Sequence, residues 1–166
     1  MTRRTIVLLR HAKAEHHDEI ADTERGLTPR GHSDAAHAGS WLASRELWPD
    51  IVVCSPARRT RQTWHEASAA GPQVAAQFEP LLYGGTASDL LALVRQIDTG
   101  AHRLLIVGHN PTISYFSALL DPAGASAEGL RTCGIAVHEL SGDWAGCAPE
   151  AAPLVDAYTA RAASAG

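Results

Sequence analysis

The chain has 166 residues, 45% of them hydrophobic, which is enough for one domain with a proper core and needs neither disulfides nor a structural metal. A formal charge of -4 gives no bulk field that would favour nucleic acid or an anionic membrane surface, so any phosphate site must be built locally. Cys54, Cys133 and Cys147 are odd in number and irregularly spaced, which suggests neither a disulfide framework nor a zinc site and fits a reducing cytoplasm.

The first element is a short apolar run, Thr5 to Leu9, ending at Arg10 and His11. It follows Arg3 and Arg4 but is too short for a secretory core or a membrane span. Ile51 to Cys54 is a second run, ending at Ser55-Pro56, and Arg103 to Val107 is a third, ending at Gly108-His109-Asn110-Pro111. Continuous apolar runs of this kind predict buried strands of a mostly parallel sheet. Residues 73–78 read as a further strand, and 134–139, which alternate weakly, as a later edge strand. Helical patterns lie between, over about 29–47, 57–70, 88–97 and 111–120. Thr28-Pro29, Ser55-Pro56 and Asn110-Pro111 each put a capping residue before a proline, which predicts three similar helix starts.

The alternation of strand and helix makes the fold class α/β, a single domain with helices on both faces of the sheet. Residues 1–150 are expected to form the domain and 151–166 an Ala-rich tail that frays. In open sheets of this class the ligand crevice lies beyond the carboxyl ends of the strands. Those ends carry Arg10, His11, His109 and, one turn into a helix, Arg59. Neutral imidazole attacks phosphorus well, and phosphoryl transfer asks chiefly for positioning and for positive charge around the equatorial oxygens. Arginines near His11 should depress its pKa, and their planar paired donors match phosphate oxygens.

The segment Leu8-Leu9-Arg10-His11-Ala12 resembles the signature of the histidine phosphatase superfamily, with Ala12 where a glycine often stands. Asp22 to Gly31, with Arg25, is similar to the loop and helix start that supply a further arginine in its short phosphohistidine-phosphatase branch. Cys54 to Thr63 resembles the second arginine motif, with Arg59 on the phosphate-binding position, and Val107 to Pro111 resembles the second histidine motif. The resemblance spans residues 5 to about 120. It implies a phosphoglycerate mutase-like fold, His11 as nucleophile, and Arg10, Arg25, Arg59 and His109 as the groups that hold the phosphoryl group. It also implies no metal and no cofactor. His109 would be charged or would donate a hydrogen bond. Larger relatives carry a carboxylic acid near the nucleophile, and the candidates here are Glu79 first and Asp89 second, with Glu66 and Asp98 also in that stretch.

Other readings of the same residues are weaker. Arg58 and Arg61 fit a solvated basic face, and His16, His17 and Asp18 a polar loop rather than a metal site. Trp41, Trp48, Trp64 and Trp144 read as packing residues rather than a nucleotide platform. Cys54 precedes arginines, but a cysteine-phosphatase loop would need an arginine where Thr60 stands. No nucleophile-elbow serine and no glycine-rich lysine loop occurs. The expected activity is therefore a metal-independent phosphatase, monomeric and cytoplasmic, acting on phosphohistidine in a protein or on a small phosphate ester. A mutase is disfavoured because the chain has no room for a cap. A phosphate-binding module without turnover is the rival from another class, and retention of His11 argues against it.

Overall fold

The computed structural model describes residues 2–162. Strands are β1 (Arg3–Arg10), β2 (Ile51–Cys54), β3 (Ala76–Phe78), β4 (Arg103–Gly108), β5 (Gly134–Ser141) and β6 (Leu154–Thr159). Helices are α1 (Pro29–Ser44), α2 (Arg58–Ala67), α3 (Ala87–Arg95) and α4 (Thr112–Leu120). The six strands form one sheet in the order β3-β2-β4-β1-β5-β6. The first four run parallel, while β5 and β6 are antiparallel to their neighbours.

Both faces of this sheet are covered, which is why its central strands lack polar alternation. Val7 and Leu9 of β1, with Val52, Leu105 and Val107, pack on one face against Ala35, Ala38 and Leu42 of α1 and Trp64 of α2. Ile6 and Leu8, with Val53, Leu104 and Ile106, face the opposite way onto Leu90 and Val94 of α3 and Ile113 and Phe116 of α4. Full burial of each such side chain contributes about 1.5–3 kcal/mol, so this double layer fixes the sheet and with it the strand ends.

Three expectations change. The chain past 150 is not a tail throughout: β6 pairs with β5 over Gly134–His138, and Tyr158 stacks on Trp41 with ring centroids 4.8 Å apart. That pairing makes β6, and not β5, the outer strand on this side of the sheet. Alanine-rich composition hid a short strand whose burial alternates residue by residue.

Only one of the three Xaa-Pro starts behaves as predicted. The Thr28 side chain accepts the Gly31 N–H at 3.0 Å, with Pro29 in the first turn of α1. Helix α2 instead begins at Arg58 and α4 at Thr112, with Ala57 and Pro111 at the cap positions and no side-chain cap bond at either. Asn110 donates to the Leu130 carbonyl at 2.8 Å, and the bond made by Ser55 belongs to the site. No described helix is long and apolar enough to cross a membrane.

Candidate active site

The parallel register places Arg10 opposite Gly108 and Cys54 opposite Val107, so the residues after β1, β2 and β4 emerge side by side. His11 lies at the centre of that rim. Its N–H donates to the Gly108 carbonyl at 3.1 Å, and the Cys133 N–H is shared between the carbonyls of Arg10 and His11 at 3.1 and 3.0 Å. The backbone under the imidazole is thus held from both neighbouring strands.

His11 is 8% exposed, and its Nδ1 lies 2.7 Å from the Ala12 carbonyl oxygen. A carbonyl only accepts, so Nδ1 carries the proton and Nε2 keeps its lone pair. Burial pushes the His11 pKa down to about 4, with smaller contributions from Arg59, Arg10 and Arg25. The predicted depression is present, but desolvation is its leading cause and the arginines come second.

His109 sits next to it, with ring centroids 5.4 Å apart. Its Nε2 is 2.7 Å from Ser55 Oγ, while its Nδ1 is buried with no partner. Ser55 Oγ accepts from the Ala57 N–H at 3.4 Å. With the Ser55 hydroxyl donating to Nε2, the His109 proton lies on Nδ1, the ring atom that has no partner. Burial first, then Arg59, pushes the His109 pKa down to about 3. Of the two roles expected for His109, the neutral donor fits.

The arginines come from three places. Arg10 ends β1 and donates to the Leu130 carbonyl at 3.2 Å, and its Nε is buried without a partner. Arg59, in the first turn of α2, is 5% exposed and also has an unpartnered Nε. Arg25 stands in the loop between β1 and α1, whose two arms are drawn together by the Ala14–Leu27 bridge, and donates to the Glu15 carbonyl at 3.0 Å.

Arg25 and Arg59 converge on Asp22, to which sequence reasoning assigned no role. Arg59 donates to the Asp22 carbonyl at 2.7 Å and to its Oδ2 at 3.0 Å, and Arg25 Nε donates to Oδ1 at 3.0 Å. Tyr83 donates its hydroxyl to Oδ2 at 2.5 Å and meets the His109 ring edge-on at 5.5 Å between centroids. The Tyr83 bond first, then Arg59 and Arg25, hold the Asp22 carboxyl well below the usual carboxylate range.

The two carboxylates read as candidate proton donors are both engaged in caps. Glu79 accepts the Leu81 N–H at 3.1 Å and so caps the 3₁₀ turn Pro80–Leu82. Asp89 closes a capping box with Thr86 at the start of α3. Both are spent on orphan N–H groups at helix starts, a common fate for a carboxylate in such a position. Arg58 and Arg61 are exposed, as a solvated face requires, and His17 pairs with Glu15 at 3.1 Å in solvent. Cys54 is buried and its thiol is pushed up to about 12 by desolvation, which leaves no thiolate for nucleophilic attack. A cavity of about 790 Å³, lined in part by Glu24, Arg58, Trp64 and Phe78, lies beside α2 and includes neither His11 nor His109.

A mostly parallel sheet with two neutral imidazoles and three guanidinium groups at its carboxyl rim suits phosphoryl transfer. The histidine phosphatase superfamily (branch 1) profile matches residues 6–83. A structure from Nakamurella multipartitia, described as a candidate phosphohistidine phosphatase SixA, is 34% identical with a TM-score of 0.84, over 96% of this chain and 98% of that one. The tungstate complex of the protein histidine phosphatase SixA shares the fold, at 23% identity and a TM-score of 0.80 over 93% and 96% of the two chains. The uncharacterized protein Rv1276c of Mycobacterium tuberculosis is 36% identical over 161 residues, 92% of this chain and all of the relative. The chain belongs to the histidine phosphatase superfamily, whose members transfer phosphate through a histidine nucleophile.

Proposed function

We propose that the chain hydrolyses phosphohistidine carried by another protein, with His11 as the nucleophile. The observation that carries this reading is the pairing of a lone pair with unspent donors. His11 Nε2 is free to attack, while Arg10 Nε, Arg59 Nε and His109 Nδ1 are buried without partners. Buried polar groups are nearly always satisfied, so such atoms gathered at one rim mark a place where an anion binds.

In the proposed cycle Nε2 of His11 attacks phosphorus and the bond from phosphorus to the substrate imidazole breaks. That imidazole leaves neutral once its distal nitrogen has taken a proton from solvent. Arg10, Arg59 and His109 donate to the equatorial oxygens as charge develops on them. Water then attacks phosphorus, the bond to Nε2 breaks, and orthophosphate is released with His11 again neutral. Glu79 and Asp89 are tied into caps and Asp22 stays ionised, so none of them serves as an acid for an alkoxide.

The connections from β2 to α2 and from β4 to α4 are three residues each, so neither covers the rim, and the longer 11–28 loop is occupied in presenting Asp22 and Arg25. This favours a phosphohistidine presented on a protein surface over a small metabolite. We place the protein in the reducing cytoplasm, a reading supported by three buried, unpaired thiols at Cys54, Cys133 and Cys147. The test is mass spectrometry of protein quenched during turnover of a phosphohistidine-bearing protein. A phosphoryl group is expected on the peptide containing His11, and none in His11→Ala, which should still bind vanadate. Full turnover by His11→Ala would overturn the assignment.

A further inference from the structure

We propose that Asp22 is a specificity residue of the phosphate site: its carboxylate competes with the incoming phosphoryl group for Arg25 and Arg59, and so limits how tightly the orthophosphate product is held. The inference rests on the reading of those arginines as phosphate donors.

The geometry is that of an internal anion in a phosphate position. Arg25 reaches Asp22 Oδ1 through both Nε and NH2 at 3.0 Å, two charge-assisted donors on one carboxylate oxygen. Arg59 adds a donor to Oδ2 at 3.0 Å, and the Tyr83 hydroxyl adds another. A phosphoryl group that engages Arg25 and Arg59 through the same nitrogens must replace these bonds.

The partners differ in how firmly they are held. The Arg59 side chain is 6% exposed and that of Arg25 19%, whereas that of Asp22 is 50% exposed. Asp22 opens a three-residue 3₁₀ turn, Asp22–Glu24, that has no buried residue and no side-chain cap. When the two anions exchange, the carboxylate swings into solvent and the cations stay in place.

Charge sets the direction of the exchange. A carboxylate offers one negative charge and two oxygens, and a phosphoryl group about -1.5 to -2 and three oxygens. The phosphoryl group therefore displaces Asp22, while singly charged anions gain little over the resident. Tyr83, once its acceptor has moved, has a free hydroxyl beside His109 to donate to the phosphoryl oxygens. After hydrolysis the returning carboxylate helps to expel orthophosphate, which has no covalent or protein-borne anchor left.

The experiment measures orthophosphate and vanadate binding to wild type and to Asp22→Asn by calorimetry, and their inhibition of turnover. Asparagine keeps the shape and removes the charge, so orthophosphate should bind about tenfold tighter and inhibit at correspondingly lower concentration. KM should fall with it. Weaker anion binding in Asp22→Asn, with kcat also reduced, would show that Asp22 merely braces the arginines and would overturn the proposal, as would unchanged binding. Failure of the underlying reading looks different: wild type itself would then bind neither orthophosphate nor vanadate, and Arg59→Ala would change nothing. Asp22→Ala gives a second neutral variant, expected to shift binding in the same direction.

Discussion

The Thr63 hydroxyl accepts the Ala12 N–H at 3.0 Å and donates to the Arg59 carbonyl at 2.7 Å, so one fully buried side chain ties the His11 loop to the helix that carries Arg59. Valine has nearly the same shape but offers neither bond. Thr63→Val leaves a buried N–H unsatisfied, which costs about 1–3 kcal/mol. We expect a lower Tm and, because a small misplacement of a nucleophile is expensive, a kcat/KM reduced by about tenfold or more. Thr63→Ser should restore most of both. Thermal unfolding and kcat/KM on the three proteins check this, and a wild-type Thr63→Val would show that the tie is idle.

Stability should fall as the pH drops from about 6.5 toward 4, before ordinary acid denaturation. His11 and His109 have folded-state pKa values depressed to about 4 and about 3 by burial. Below the unfolded value of about 6.5 the unfolded chain takes up protons that the folded chain refuses. Stability due to these groups is therefore complete above that value and lost progressively as pH falls toward the folded values, with a slope of up to about 1.4 kcal/mol per pH unit per histidine. Denaturant unfolding from pH 7 to 4.5 measures it. His11→Asn should flatten the slope by up to one histidine's share, and an unchanged slope would mean that His11 is not held neutral.

Much of this site was legible because parallel sheets put chemistry at strand ends. The runs Thr5 to Leu9, Ile51 to Cys54 and Arg103 to Val107 mark three neighbouring strands, and Arg10, His11, Arg59 and His109 follow from where those runs stop. For Glu79 and Asp89 two roles were open, since a carboxylate near a helix start suits a cap as well as a proton donor, and only the folded loops reveal the caps they make. Asp22 and Tyr83 meet across 61 positions of sequence, a pairing set by how the 11–28 loop folds back and not by any local pattern. The i,i+3 spacing of Asp22 and Arg25 was the one available hint. The cause of the His11 shift was also hidden, since burial is a property of the packed chain.

Helices α1 and α2 approach so closely at Gly39 that a Cβ there would overlap the Ala67 carbonyl. Alanine is the better helix former by about 0.5–1 kcal/mol. Here the clash is with backbone, which does not move aside cheaply, and overpacking of this kind costs about 1–3 kcal/mol. Gly39→Ala should therefore lower the unfolding free energy despite its helical propensity. Gly146→Ala is the control, because a Cβ at that position meets nothing within 4 Å. Equal stabilities for the two variants in urea unfolding would contradict the close approach.

The leaving group should govern the rate more strongly than in a phosphatase with a built-in acid. A positioned acid contributes about 10²–10⁴-fold to expulsion of an alkoxide. In this chain the carboxylates of Glu79 and Asp89 cap helix starts, and that of Asp22 is ionised at neutral pH both in its bonds to Tyr83, Arg59 and Arg25 and when released to solvent. Imidazole, with an unperturbed pKa of about 6.5, needs little help once its distal nitrogen is protonated. An aryl phosphate with an acidic phenol is next in order, and a primary alkyl phosphate comes last. The measurement is kcat/KM at one pH for a phosphohistidine-bearing protein, a series of aryl phosphates of graded phenol acidity, and alkyl phosphates. A steep fall along the aryl series and very slow alkyl esters are expected. A flat series would reveal an acid that none of these carboxylates supplies, and alkyl esters as fast as the phosphohistidine protein would remove the proposed substrate while leaving attack by His11 in place.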